Sequence, residues 1–235
     1  MPKLSASSGE CGFIIDTAAN TITNAGALNA GAGTLVIASN LSNTGKLNAD
    51  NGMVYVVGKA AGGTAIISGL GSAALEFGAA ASTATKFAVG TTGQLILADS
   101  AEYTGVISGF GGNTTQSIDL ADFNLTGAHA SSFSLGVLTL KNTAGQVVHL
   151  HFSGTHTLAS FHLSNDGNFN GTDDGTKITD PPAPTKPQSP LSDPLASLFG
   201  QFMASWNPIT ALTSEMHAPL ASELQMATNL LHAHG

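Results

Sequence analysis

TNAGALNAGAG runs from Thr23 to Gly33, and SNTGKLNADNG runs from Ser42 to Gly52, nineteen positions later. Asn24 falls on Asn43, Gly26 on Gly45, Leu28 on Leu47, Asn29 on Asn48, Ala30 on Ala49 and Gly33 on Gly52. A period near twenty residues, with Gly and Asn at fixed offsets, marks a solenoid in which each coil is one repeated unit. The competing architecture is an antiparallel sandwich with Gly-rich turns. Turn chemistry alone does not bring so many positions into register over two coils.

Reading outward from this stretch, each Asn-x-Gly turn is followed by a short alternating run, the period of a strand. TLVIAS places Leu35 and Ile37 on one side, and MVYVVG places Val54 and Val56 at the same offset. AALEFG continues with Leu75 and Phe77 inward, GQLILAD with Leu95 and Leu97, and TGVISGF and SIDLADF carry the pattern to Phe123. Parallel coils stack at the strand spacing of about 4.8 Å, so equivalent residues sit directly over one another. Stacked Asn side chains can form amide ladders. Gly supplies the positive φ that sharp corners need. Charges are scarce because like charges would repeat at that short spacing.

From Ser131 the pattern changes. VLTLK-NTAG-QVVHLHF reads as a hairpin, with Leu138 and Leu140 on one face and Val148, Leu150 and Phe152 on another. SFHLSNDG reads as a third strand of the same piece, Phe161 and Leu163 inward and His162 outward. This unit would cap the open solenoid end, which otherwise exposes strand edges. TDPPAPTKPQSPLSDP is an extended proline-rich linker. Beyond it, Asp193-Pro194 forms an N-cap and first turn, and Leu195, Leu198, Phe199, Phe202, Met203 and Trp206 recur at helical spacing.

Composition agrees. Of 235 residues only 9% are charged, 28 are Gly, and the net charge is −8 with no arginine. Nucleic acid is excluded as a partner, because there are few cations to displace counterions and no guanidinium fork to read guanine or phosphate. Docking on anionic lipid is excluded on the same ground. The single cysteine, Cys11, forms no intrachain disulfide. No stretch reaches the ~20 apolar residues of a transmembrane helix. The apolar run near the start is too short for a cleaved signal, so export would take another route.

NTGKLNADNG, GSAALEFGAAASTATKFAVGTTGQLILADSAEYTGVISGF, SIDLADF and FHLSNDG…GTKITDPP together resemble a repeat module of large secreted or surface-exposed, adhesin-like β-solenoid proteins of rhizobium-like α-proteobacteria. The resemblance covers roughly Thr21 to Pro182. It implies an extracellular or cell-surface, non-catalytic stalk or adhesive module, and no catalytic residue is carried over from it. The chain departs from the module in three places: GGNTTQSIDL lacks the usual Gly-Asp, the Asp-Gly turn is enlarged to NDGNFNGTDDGTK, and the helical tail has no counterpart.

Three constellations could carry chemistry. Asp166, Asn168, Asn170, Asp173 and Asp174, with Gly171 at the turn, alternate oxygen ligands as Ca²⁺ requires. Lys177 stands where an EF-hand has its bidentate Glu, so the loop is not an EF-hand, and an Asx-rich turn is the competing reading. His149 and His151 share a strand face, and with His162 on a neighbouring strand they would make a three-imidazole zinc site. The competing reading is solvated surface, which also covers His156, His232 and His234. The outward Asp119, with Asp122, Asp99 and Glu102, supplies paired acids for glycoside hydrolysis, against the reading of solubility charges.

The expected architecture is an all-β, parallel solenoid (a right-handed β-helix) of about five coils, with a hairpin cap and a C-terminal helical tail. Its parts are an N-terminal cap segment over 1–20, solenoid over 21–125, the cap with its Asp/Asn-rich loop over 126–180, linker over 181–193 and tail over 194–235. The expected role is structural or adhesive, binding glycans or protein partners, with calcium as the candidate cofactor. A carbohydrate-active β-helix enzyme and a calcium-stabilised binding module are the alternatives. The tail offers a homo-oligomer contact or an uncleaved export signal.

Overall fold

A computed structural model describes residues 3–8, 11–71, 73–166 and 175–181, and within them the repeated turns lie one above another. Leu28 pairs with Leu47 and Asn24 with Asn43 on parallel strands. The chain is a parallel β-solenoid of about five turns with three faces. The linker beyond Pro181 and the helical tail lie outside the described residues.

The long face has nine strands. Cys11–Asp16, Thr34–Ile37, Met53–Val56, Ala74–Phe77, Gln94–Leu97 and Ser117–Leu120 run parallel in that order. Lys3–Ser8 adds antiparallel at one edge, and Thr176–Thr179 then His162–Asn165 at the other. The second face stacks Ala27–Asn29, Lys46–Asp50, Thr64–Ser68, Ala84–Phe87 and Val106–Ser108 in parallel, then takes up the hairpin. The third face is narrow: Ile22–Asn24, Leu41–Asn43 and Ala60–Ala61, extended by single bridges through Ala81 to Tyr103.

The core is a set of stacked columns. Leu35, Val54, Leu75, Leu95 and Ile118 succeed one another in register, as do Ile37, Val56, Phe77, Leu97 and Leu120, and all are buried. Each such side chain contributes about 1.5–3 kcal/mol of apolar burial. Toward the cap the columns turn aromatic: Phe87 meets Phe110, Phe110 meets Phe152, and Phe152 meets Phe161, at centroid distances of 5.3, 5.8 and 5.2 Å. The Tyr103 hydroxyl enters the core with its partners: it donates to Thr85 Oγ1 at 2.9 Å and lies 3.2 Å from the Thr83 carbonyl.

The amide ladders form as expected. Asn24 Nδ2 donates to Asn43 Oδ1 at 2.8 Å, and Asn48 Nδ2 donates to Asn29 Oδ1. Glycine answers a different demand from the one anticipated at two repeat positions. Gly31 has φ +56°, but Gly45 and Gly52 do not have positive φ. A Cβ on Gly45 would stand 2.0 Å from the Gly26 carbonyl oxygen, and one on Gly52 2.1 Å from that of Gly31. Close approach of successive backbones, not handedness of the turn, excludes a side chain there.

Two boundaries differ from the sequence reading. The parallel sheet begins at Cys11–Asp16, ahead of residue 21, because CGFIID supplies a first rung for Thr34–Ile37. The hairpin Val137–Lys141 and Val147–Ser153 forms as read, but its third strand is His129–Ser134. His162–Asn165 instead pairs with Thr176–Thr179 on the long face. His129–Ser134 escaped notice because its only inward apolar side chains are Ala130 and Phe133 and its pairing is bulged between Ala130 and Ser132.

Candidate functional site

The outer side of the long face carries two columns of side chains. Thr34, Met53, Ala74, Gln94 and Ser117 stand in register, each above the last. Small residues at the corner before each strand, including Gly33, Gly52 and Ala73, leave a trough beside this column. The result is a shallow groove of about 750 Å³ crossing the coils, with Lys177 at its far end. Its lining is hydroxyl, amide, thioether and methyl, and among the described residues Lys177 is its only charged group. Such a surface can hydrogen-bond neutral polar ligands and cover their apolar faces.

The second column runs Val36, Tyr55, Glu76, Ile96, Asp119 and Lys177. Burial raises the pKa of Glu76, and burial followed by the charge of Glu76 raises that of Tyr55. Asp119 is outward by alternation, as expected, but it is not solvated: its exposure is 0%. Gln94 Nε2 donates to its Oδ2 at 3.2 Å, and Oδ1 has no hydrogen-bond partner among the described residues. Desolvation first, then the Asp166 carboxylate, push its pKa up to about 6, with Lys177 pulling the other way. Of the other acids, Asp122 accepts from the Ser100 amide at 3.1 Å through both oxygens, while Asp99 precedes and Glu102 ends a short helical turn.

The predicted metal residues fare unevenly. Asp166 is half-buried beside Gly175, where a Cβ would lie 2.3 Å from its Oδ2. Asn168, Asn170, Asp173 and Asp174 lie outside the described residues. His149 and His151 do share an exposed face, and His149 Nδ1 lies 3.1 Å from Thr139 Oγ1. His162 belongs to the long face rather than to a strand neighbouring them, so the three imidazoles are not brought onto one sheet. Among the described residues, no three His, Cys, Asp or Glu side chains are gathered to hold a metal ion.

His156 is a correction. Read as solvated surface, it is a buried side chain, 5% exposed, whose Nδ1 lies 2.6 Å from Asp180 Oδ2. It packs among Phe133, Phe152 and Phe161, edge-on to the first and stacked on the last. A lone His in a Thr/Ser stretch gives no periodic signal, and its partner is 24 residues away. The pair ties the end of the last described strand to the cap.

No family model matches the chain, and no curated protein matches it. No helix among the described residues is long and apolar enough to cross a membrane.

Proposed function

We propose that this chain is a non-catalytic binding module, displayed outside the cell or at its surface, which holds glycan or protein partners along the outer side of its long face. The observation that supports this reading is the groove of about 750 Å³ over the Thr34–Met53–Ala74–Gln94–Ser117 column. Its floor repeats at the coil spacing, as a polymer's sugars repeat along a chain. Its neutral hydroxyl and amide lining suits sugar hydroxyls, and Met53 and Ala74 suit the C–H faces of sugar rings. The resemblance to adhesin-like modules agrees with an extracellular setting.

The test is retention of the purified chain on immobilised neutral polysaccharides, with Ala74→Lys as the blocking variant. Ala74 lies on the groove floor, so a long charged side chain there fills it and abolishes retention. Retention unchanged in Ala74→Lys, or no retention on any polymer tested, refutes the assignment. Release of reducing ends from the same polymers would replace it with the enzyme reading.

A further inference from the structure

Among the described residues Lys177 is the one charged group that lines the long-face groove, yet its backbone belongs to the other column. By register it stands opposite Asp119, in the second column. The rest of the lining comes from the first column and its corners. Asp119, Ile96 and Glu76, which precede Lys177 in the second column, do not line the groove. The long lysine side chain therefore crosses from its own column to the groove, and it stays only half-buried there.

A second observation is the partner that Lys177 does not take. Asp119 lies directly across the strand pair and is fully buried; Gln94 serves its Oδ2, and its Oδ1 has no hydrogen-bond partner among the described residues. An ammonium is the natural partner for such an oxygen, because a buried carboxylate is costly to leave uncompensated. The one ion pair among the described residues is nevertheless His156 with Asp180. Lys177 lowers the pKa of Asp119 through its field without touching it. A cation that stands off from the carboxylate opposite it and reaches a groove keeps its three donors for whatever enters that groove.

We propose that the groove takes a largely neutral glycan carrying an isolated sugar acid, with the Lys177 ammonium binding the acid's carboxylate. The inference rests on the groove reading above and names the class of glycan. The uncharged floor from Thr34 to Gln94 covers neutral sugar units. At the last coil one ammonium meets one carboxylate, in a charge-assisted hydrogen bond of the stronger kind. Polyanions are selected against by the same geometry. Asp119 and Glu76 occupy the adjoining column and the chain carries a net charge of −8, so a second carboxylate further along the polymer meets only repulsion.

The experiment uses the full chain and two matched pairs of immobilised polymers. Glucuronoxylan, a neutral xylose chain with scattered glucuronic acid branches, is compared with its carboxyl-reduced form. Pectin with scattered free acids is compared with its fully methyl-esterified form. At neutral pH and low salt, at least one acidic polymer is expected to bind about tenfold more tightly than its neutral counterpart. Lys177→Gln, close in length and uncharged, is expected to bind both members of that pair alike, and Lys177→Arg to keep the preference. Salt at about 0.5 M should remove the preference from the parent chain. Equal binding within both pairs by the parent overturns the proposal, and so does a preference that persists in Lys177→Gln. Retention of the neutral forms that Ala74→Lys abolishes, with no preference for acid, leaves the groove reading standing while this one falls. Absence of retention on all four polymers ends both.

Discussion

Replacing Gly45 by Ala tests the stacking directly, because Gly26 is its built-in control. The two residues occupy the same repeat position. Beneath Gly45 lies another coil; beneath Gly26 none of the described residues lies within 4 Å. An alanine Cβ at 45 would sit 2.0 Å from the Gly26 oxygen and 2.9 Å from two carbonyl carbons, all backbone atoms that cannot swing aside. Relief requires the two rungs to part locally by about 1.5 Å, to an ordinary contact distance. That oxygen is the acceptor for the Lys46 amide at 2.8 Å, and the Lys46 carbonyl accepts from Asn24 Nδ2 at 3.0 Å. Parting the rungs loosens both bonds and the Asn24–Asn43 ladder beside them. At about 1–1.5 kcal/mol for each bond lost, Gly45→Ala should lose about 3 kcal/mol. For a chain of this size that lowers the thermal midpoint by about 6–12 °C. Gly26→Ala meets no atom and has no positive φ, so it should be neutral or stabilise by about 0.4–1 kcal/mol through the unfolded state. Circular dichroism melts of the two variants beside the parent decide the matter. Equal effects of the two substitutions, in either direction, would refute the argument that backbone approach between coils selects glycine.

Two further predictions follow from the buried ionisable groups. Asp119 has a folded-state pKa raised to about 6 from an ordinary 3.8, so the unfolded chain gives up this proton first as pH rises. Gln94, Glu76, Asp166 and Lys177 are the groups that face it. Stability should therefore fall between about pH 4 and pH 6.5, by up to about 3 kcal/mol from this group, and Asp119→Asn should flatten that part of the profile in urea titrations; an unchanged profile would show that Asp119 is not the titrating group. Removing His156 leaves the Asp180 carboxylate buried without its partner, so His156→Ala should cost about 3 kcal/mol, with Asp180→Asn restoring part of the loss in the double variant. Thermal melts of the two single variants and the double variant check this; purely additive losses would show that the pair is not coupled.

The fold was legible because a solenoid writes one structural rule several times. Asn24 over Asn43 and Leu28 over Leu47 could be read from a single pair of repeats, since each side chain's neighbour is its own equivalent one turn away. What could not be read is what occurs once. His156 and Asp180 are 24 residues apart with no repeat to align them, and Tyr103 reaches Thr85 across 18 residues from a coil of altered length. Asp119 was placed on the correct side of its strand. Its burial depends on what lies over that side, which alternation does not encode. The groove was invisible for a related reason: it is made by the small residues at the corners, whose sequence signal is the same as that of any turn.

The distribution of charge shows where single-copy chemistry can reside in such a chain. Within the parallel rungs, no charged side chain pairs with a like charge. Lys46 stands between Ala27 and Thr64, Lys86 between Ile66 and Ser108, and Glu76 between Tyr55 and Ile96. A coil whose neighbours are near-copies of itself can bury a polar group only if the copy tolerates it, which favours neutral amides able to donate and accept along the stack. That constraint lifts at the last parallel coil, where the next strands run antiparallel and carry unrelated side chains. There Lys177 stands opposite Asp119, and Asp180 meets His156. Two buried acids among the described residues, Asp119 and Asp180, thus lie where translation from coil to coil ends. Side chains with no equivalent one turn away are accommodated there, because the antiparallel strands do not repeat the coil beneath them.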